Sequence, residues 1–357
     1  QDRQQDRRPP QTGQLPVSEN TEGSFQAPRE EHPFARYIRI LGKGKTGTRS
    51  LAFDEALDAF HMLLRGEVED LQQGAFLMLL RVKEETGEEL AGFVQACRDE
   101  MVQPPGELRA DLDWSSYAGK KHQHPWFLLS LLLLKQAGYR VLVHGADGHT
   151  PGRLYTEEAM SQLGLPIAGD WADVAGQLNE HGLSYIPLRQ FCHPLHGMMQ
   201  LRPLLGLRSP VNTLARMLNP LRAGASIQSV FHPAYAALHQ EADRLLGQAS
   251  SGVFRGDSGE VEIRPQADTR LSLLQGGEPQ ELVIPRERPG RIDAVPSPGV
   301  TALRALWRGT GADAYGESAT LATTAAALLV LRGDRDFQSA RDEATRLWQT
   351  RNSELLD

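Results

Sequence analysis

The spacing of apolar residues changes at Gln103–Gly106 ("QPPG"), and this change constrains the fold more than any other feature of the chain. Before it, residues 33–98 carry apolar side chains three and four positions apart, the spacing of amphipathic helices. After it, short apolar runs alternate with stretches of helical spacing, which is typical of a parallel sheet covered by helices. We therefore predict an α/β protein with a small all-helical N-terminal domain and a larger α/β domain around a central, mostly parallel sheet.

Composition and pattern divide the chain further. Residues 1–30 are rich in Gln, Arg, Pro and Ser and carry almost no apolar side chains, so we predict a flexible arm. The helical domain is predicted over residues 31–103. The α/β domain is predicted over 104–192 and 223–357, and its predicted strands include "YRVLVHG", "SGVFRG" and "EVEIRP".

Charge and cysteine content narrow the class of protein. The net charge of -7 argues against attraction of the whole molecule to nucleic acid or anionic membranes, but it leaves room for a local basic patch. Cys97 and Cys192 form neither a disulfide framework nor a zinc motif, which suits a reducing cytosol. The longest apolar run, Trp126–Leu134, is too short to cross a bilayer. We expect a cytoplasmic protein that does not contact membranes.

The sequence contains no recognisable catalytic or metal-binding motif. No Gly-x-Ser-x-Gly nucleophile elbow is present. His193, His196 and His232 are not spaced as zinc ligands, and no cysteine pair accompanies them. We therefore predict neither catalytic residues nor a metal site from these patterns.

The stretch "SYAGKK" places Lys120 and Lys121 just before a long apolar helix. Two cations at the positive end of a helix dipole are unfavourable for stability alone, and helix N-termini favour anions. The pair therefore indicates a bound anion. The alternative is that His124 and Pro125 simply begin the helix, with proline at its first position.

A second basic segment lies before the first long helix. Lys43, Lys45 and Arg49 occur in "LGKGKTGTRSL", where glycines let the backbone approach a ligand closely and the cations are suited to neutralising phosphates. The alternative is an exposed loop with solvated charges.

Two segments resemble anthranilate phosphoribosyltransferase and its relatives, which share their fold with pyrimidine nucleoside phosphorylases. One is residues 64–93 of the helical region. The other is residues 191–220, which present His-Pro, Arg, Leu-Gly-x-Arg, Asn and Asn-Pro in the family's order. The resemblance implies the family's two-domain fold, with residues 193–222 joining the helical domain.

The resemblance also implies where the family binds phosphoribosyl pyrophosphate. Its Gly-Thr-Gly-Gly-Asp loop, whose backbone amides hold phosphate, corresponds to Tyr117–Lys121, where only Gly119 remains. Its Asn-x-Ser-Thr motif corresponds to Pro125–Leu128, which offers no ligand for a hard cation. The phosphate loop is therefore replaced in this chain.

Two further family motifs are retained in part. Lys-His-Gly-Asn appears as Val143–Ala146, which keeps His144 and Gly145. The Asp-Glu pair that carries magnesium corresponds to Val261–Glu262, with Asp257 and Glu260 nearby as substitutes. We expect no cofactor unless these acids restore a magnesium site. The residues of a residual substrate site would be Gly119, His144, Gly145, Asn212 and Glu262.

Three arginines of the 191–220 segment carry further implications. The position of Arg202 contacts the carboxylate of anthranilate in the family, a role suited to a bidentate guanidinium. Arg208 and Asn212 are read either as ligands or as structural residues at the domain junction. Arg216 adds a charge at a position that is small in the family, which fits a basic groove.

The retained scaffold and the replaced loop resemble the TrpD-like (YbiB-type) subfamily, which implies a homodimeric nucleic-acid binder. The dimer would form through the helical domain. The alternative is a glycosyl or phosphoribosyl transferase with a rebuilt site, which would use magnesium, and a third reading is a regulatory protein for a small anionic metabolite. The predicted contacts to phosphate or nucleic acid are Lys43, Lys45, Arg49, Lys120, Lys121, Arg202, Arg208 and Arg216.

Overall fold

The structure, a computed structural model, describes residues 30–148 and 150–357. The flexible arm predicted for residues 1–30 lies, apart from Glu30, outside these ranges.

Four helices form the N-terminal part of the described chain, and the helical prediction there is confirmed. Phe60 and Phe76 both pack against Phe93, with ring centroids 4.8 and 6.0 Å away, so the aromatic side chains of three helices meet in one core. Thr86 caps the fourth helix by accepting a hydrogen bond from the Glu89 amide at 3.1 Å. The four helices are α1 (Ala35–Gly42), α2 (Phe53–Leu64), α3 (Asp70–Lys83) and α4 (Gly87–Glu100).

A seven-stranded mixed sheet follows, in the order β3-β2-β1-β4-β5-β6-β7. The first five strands are parallel and the last two add an antiparallel edge, so the prediction of a mostly parallel sheet is confirmed. The segment "EVEIRP" forms no strand. The strands are β1 (Leu112–Ser116), β2 (Val141–Gly145), β3 (Leu183–Pro187), β4 (Ala225–Val230), β5 (Ser250–Arg255), β6 (Thr269–Gln275) and β7 (Glu278–Ile284).

Helices cover both faces of this sheet and continue to the C-terminus. Longer members include α5 (Phe127–Gln136), α7 (Trp171–His181), α12 (Ala234–Leu245), α14 (Ala314–Arg332) and α15 (Phe337–Gln349). Shorter ones are α6 (Thr156–Gln162), α8 (Leu188–Phe191), α9 (His193–Met199), α10 (Arg202–Leu205), α11 (Val211–Leu214) and α13 (Thr301–Arg308). Helix α14 is long and apolar enough to cross a membrane, but 83% of its apolar stretch is buried inside the fold, the position of a core helix.

The segment from α8 to α11 shares a hydrophobic core with the N-terminal helices. Leu195, Leu214 and Leu218 are buried in the same cluster as Phe93. Arg98 of α4 fixes this junction, because its Nε donates to the carbonyl oxygen of Leu218 at 2.8 Å. Residues of this segment therefore pack with the N-terminal helices, and the assignment of 193–222 to a helical domain stays a prediction.

Candidate functional site

The candidate site lies at the carboxyl ends of β1 and β5. The chain leaves β1 toward β2 on one side of the sheet, while β4 pairs with β1 on the other side. Such a switch in strand order opens a crevice in α/β sheets, where ligands commonly bind. The loop after β1, residues 117–121, and the loop after β5, residues 256–262, meet there.

Lys120 is buried between two carboxylates of the second loop. Its Nζ forms ion pairs with Oδ2 of Asp257 and Oε2 of Glu262, and the lysine side chain is 1% exposed. The other oxygen of Glu262 accepts a hydrogen bond from the amide of Phe127, the first residue of α5, at 2.9 Å. The ammonium is therefore directed into the protein and away from any phosphate in solvent.

The charges of this cluster depend on one another. Burial disfavours the Lys120 ammonium, but Glu262 and Asp257 outweigh that effect and raise the pKa of Lys120. Burial, and then the neighbouring charge of Asp257, raise the pKa of Glu262 to about 7 despite the attraction of Lys120. Lys120 therefore stays charged between the two acids.

The carboxylate of Glu260, which belongs to the loop after β5, contacts the backbone of the loop that follows β1. Its Oε1 accepts hydrogen bonds from the amides of Ala118 and Gly119 at 2.8 and 2.7 Å, and its Oε2 accepts one from the Ser116 hydroxyl at 2.8 Å. Backbone amides at the end of a strand are the groups that cradle phosphate in glycine-rich loops. Here a carboxylate of the same chain occupies that cradle.

An arginine side chain and a glycine hold the two loops together. Arg153 Nη1 donates to the carbonyl oxygens of Ala118, Gly119 and Ser258 at 3.0–3.2 Å, so one guanidinium ties both loops. A Cβ at Gly256 would lie 1.7 Å from the carbonyl oxygen of Glu260, so only glycine allows this approach. The contact between the two loops therefore depends on the backbone as well as on the side chains.

These residues do not fit magnesium. Mg²⁺ requires about six oxygen ligands at about 2.0–2.1 Å, and the Lys120 ammonium takes the space between Asp257 and Glu262 that a cation would need. Within residues 30–148 and 150–357, no group of three or more His, Cys, Asp or Glu side chains is arranged to hold a metal ion.

An open cleft of about 920 Å³ lies beside the filled loop. It runs between the helical domain and the sheet, and Tyr117, Tyr155 and Tyr235 contribute to its walls. The charged residues that line it are Arg81, Arg202, Arg208, Arg216 and Arg255, with Glu84, Glu85 and Asp147. Among the described residues that line it, five arginines against three acids give this cleft a positive balance within an acidic protein.

Three arginines converge on one ring of the cleft. The guanidinium carbons of Arg208, Arg216 and Arg153 lie 5.3, 5.5 and 5.8 Å from the ring centroid of Phe231. We call these three residues the arginine cluster. Arg216 is buried and donates to the carbonyl oxygen of Ser229 at 2.6 Å, and burial lowers its pKa to about 10.

The structure brings together only some of the residues singled out from the sequence. Arg202, Arg208, Arg216 and Asn212 line the cleft. Lys121 is exposed on the first loop and is not among the residues that line the cleft.

The basic segment before α2 does not line the cleft. Lys43 and Lys45 are exposed between α1 and α2. Arg49 is engaged with Glu55 through two hydrogen bonds of 2.7 and 2.9 Å.

Two residues of the residual substrate site have structural contacts. His144 is buried, with its ring nitrogens 3.0 Å from Asp113 Oδ2 and 2.7 Å from the Tyr117 hydroxyl. A Cβ at Gly145 would lie 2.0 Å from the carbonyl oxygen of Ser116, so the close approach of β1 and β2 requires glycine.

Sequence reasoning did not identify Ser116, Arg153 or Phe231. Arg153 lies more than thirty residues from the loop that it braces, and Phe231 is one ordinary aromatic residue among eleven phenylalanines. Neither of these two residues belongs to a sequence motif whose spacing indicates its role. Only the tertiary fold brings them to the site.

Comparisons with known proteins match this architecture. The profile described as the glycosyl transferase family, helical bundle domain, matches residues 35–101. The solved anthranilate phosphoribosyltransferase (TrpD) of Thermus thermophilus has a TM-score of 0.75 at 20% identity, covering 91% of this chain and 97% of that one. The Saccharomyces cerevisiae enzyme, solved in complex with PRPP and Mg, has a TM-score of 0.73 at 16% identity, covering 92% and 96%.

Curated sequences give the family. The uncharacterized protein YbiB of Escherichia coli is 29% identical over 245 residues, 68% of this chain and 76% of the relative. The anthranilate phosphoribosyltransferase of Methylobacterium nodulans is 30% identical over 314 residues, 84% of this chain and 89% of the relative. The chain therefore belongs to the glycosyl transferase family of anthranilate phosphoribosyltransferase and its TrpD-like relatives.

Proposed function

We propose that this chain is a homodimeric nucleic-acid-binding protein that contacts phosphates with little sequence specificity and does not transfer phosphoribosyl groups. The observation that carries the proposal is the filled phosphate loop beside an open, arginine-lined cleft. The fold of a transferase is retained, but in the loops that the resemblance assigns to phosphate and cation, Glu260 accepts from the amides and Lys120 pairs with the acids.

The filled loop argues against the transferase alternative. The yeast relative was solved with PRPP and Mg. The same ligands here would have to displace the Glu260 carboxylate from three hydrogen bonds and the Lys120 ammonium from two buried acids. Magnesium would compensate the two acids, but the displaced Lys120 ammonium would lose both of its buried partners, which is costly.

The lining of the cleft also supports anion binding. Arginine forms bidentate hydrogen bonds with phosphate, and a concave positive surface concentrates anions locally even on an acidic protein. Lys43, Lys45 and Lys121 are exposed and can add contacts with the backbone of a longer strand. Lys120 is left out of the proposed contacts because it is buried in ion pairs.

A titration tests nucleic-acid binding. A short fluorescent oligodeoxythymidine should bind at about 50 mM salt and lose roughly 10²- to 10³-fold in affinity by about 200 mM, as expected for about five neutralised phosphates. Arg202→Gln should lower the slope of log affinity against log salt by about one. Arg270→Gln is the matched control, since Arg270 is 69% exposed on β6 and does not line the cleft. Absence of binding by the folded protein at low salt contradicts the proposal.

The homodimer is proposed to form through α3. Leu71 and Val82 are 77% and 82% exposed and lie eleven residues apart, about three helical turns, so they share one face of the helix. Ala75 and Met78 lie on the same face. An exposed apolar stripe of this kind favours an interaction surface, which supports α3 as the proposed dimer interface.

Sedimentation velocity tests the dimer. The wild-type chain should sediment as a dimer at micromolar concentration, and the double variant Leu71→Lys, Val82→Lys should sediment as a monomer, because two cations would face the partner's apolar stripe. Leu355→Lys, another exposed leucine outside α3, should leave the dimer intact. A wild-type monomer would exclude this interface.

A further inference from the structure

We propose that the arginine cluster is a binding site for a phosphomonoester, carried either by the end of a nucleic-acid strand or by a free nucleotide. The inference rests on the proposed function and narrows the ligand of the same cleft. It concerns Arg153, Arg208 and Arg216 on Phe231 and not the filled loop after β1.

The first support is an excess of unpaired positive charge. Within the described part of the chain, none of the three arginines forms a salt bridge. Arg153 and Arg216 donate only to carbonyl oxygens. Arg208 is half-buried and has no hydrogen bond to any described residue, although it packs against Phe231. Buried cations are ordinarily paired, so an anionic ligand is the missing partner.

The second support is that the neighbouring acid is already engaged. Glu260 is the carboxylate whose charge acts on Arg216, and its two oxygens are held by two loop amides and the Ser116 hydroxyl. Arg208 has no such neighbour: burial, and then the charges of Arg202 and Arg153, lower its pKa. The charge of Glu260 therefore favours the Arg216 guanidinium, while Arg208 is repelled by Arg202 and Arg153.

The third support is the size and lining of the space in front of the cluster. The volume of about 920 Å³ is within the range of roughly 300–1,000 Å³ for small-molecule sites and holds a nucleotide but not a duplex. Tyr155, Tyr235 and His232 give the walls flat side chains on which a base can stack. The cleft thus offers arginines for the phosphate and flat side chains for the base of a nucleotide.

The charge of the ligand follows from the number of arginines. A phosphomonoester carries between about -1.5 and -2 at neutral pH, whereas an internal phosphodiester carries one negative charge. The guanidiniums of Arg208 and Arg216, which line the cleft without a salt bridge to a described residue, attract the more highly charged group more strongly. The filled loop excludes phosphate from the neighbouring amides, and Arg208 and Arg216 of the cluster offer a terminal phosphate two guanidiniums beside them.

The test compares two oligodeoxythymidines of identical length, one with a 5′-phosphate and one with a 5′-hydroxyl, by fluorescence anisotropy. The 5′-phosphorylated strand should bind about tenfold more tightly, and Arg208→Gln should bring the ratio close to one. Arg270→Gln should keep the ratio. Circular dichroism melting of each variant confirms that it is folded.

Calorimetry with adenosine 5′-monophosphate separates the two sources of the phosphate. Binding that Arg208→Gln abolishes, without preference for the phosphorylated strand, assigns the site to free nucleotides and supports the phosphomonoester class. No binding of this nucleotide together with equal affinity for both strands overturns the inference and leaves the proposed function standing. Failure of both strands to bind, with nucleotide binding intact, supports the site and overturns the nucleic-acid function.

Discussion

Replacement of Lys120 by methionine is expected to lower the free energy of unfolding by about 3–5 kcal/mol, the range found when one partner of a buried ion pair is removed. Methionine keeps most of the side-chain volume, so the loss is electrostatic. Asp257 and Glu262 would remain in the interior without the ammonium that contacts both. Urea unfolding at neutral pH measures the change.

The neighbouring lysine provides the control. Lys121 is exposed, and its side chain takes part in no ion pair with a described residue, so Lys121→Met should change the free energy of unfolding by less than about 0.5 kcal/mol. The triple variant Lys120→Met, Asp257→Asn, Glu262→Gln should recover part of the lost free energy of unfolding, because it removes the carboxylates that have no counter-ion. Equal effects of the two lysine substitutions would show that Lys120 is not the internal counter-ion.

The loss of unfolding free energy caused by Lys120→Met should also depend on pH. Burial and Asp257 already raise the pKa of Glu262 to about 7 with Lys120 present, and removing the ammonium raises it further. A carboxyl whose pKa is raised in the folded state destabilises the fold at high pH, and this cost disappears as the pH falls toward the unfolded value of about 4.3. The gap between wild type and Lys120→Met should therefore be wider at pH 8 than at pH 5.

Much of the fold is predictable because hydrophobic spacing reports local structure. The break at Gln103–Gly106 separates helices from the sheet, and "SGVFRG" forms most of β5. The segment "EVEIRP" misleads because its alternation imitates a strand. In the structure Glu260 and Glu262 are both buried and both contact the loop after β1, so the polar positions of the pattern point into the protein.

The site itself depends on contacts that a sequence does not display. The replaced motifs predict a phosphate loop that differs from that of the family, and "SYAGKK" predicts two lysines facing a ligand. One of them is paired with acids 137 and 142 residues away. Whether a lysine at a loop is a ligand or an internal counter-ion is decided by those distant carboxylates. Lys121, its neighbour, points to solvent instead.

The second large effect concerns the family's own substrate. Enzymes of this fold bind phosphoribosyl pyrophosphate through loop amides and carboxylate-held magnesium, as the resemblance implies, and the yeast relative was solved with both. In this chain the amides of Ala118 and Gly119 are taken by Glu260, and the acids are taken by Lys120. Binding of the magnesium complex should therefore be weaker by several orders of magnitude, since both groups must be displaced first.

Isothermal titration calorimetry of the wild-type chain with phosphoribosyl pyrophosphate and magnesium tests the central claim most directly, with an active anthranilate phosphoribosyltransferase titrated in parallel. The filled site predicts no saturable, magnesium-dependent heat for this chain under conditions in which the active enzyme saturates. Saturable binding at micromolar concentration that disappears when magnesium is chelated would contradict it.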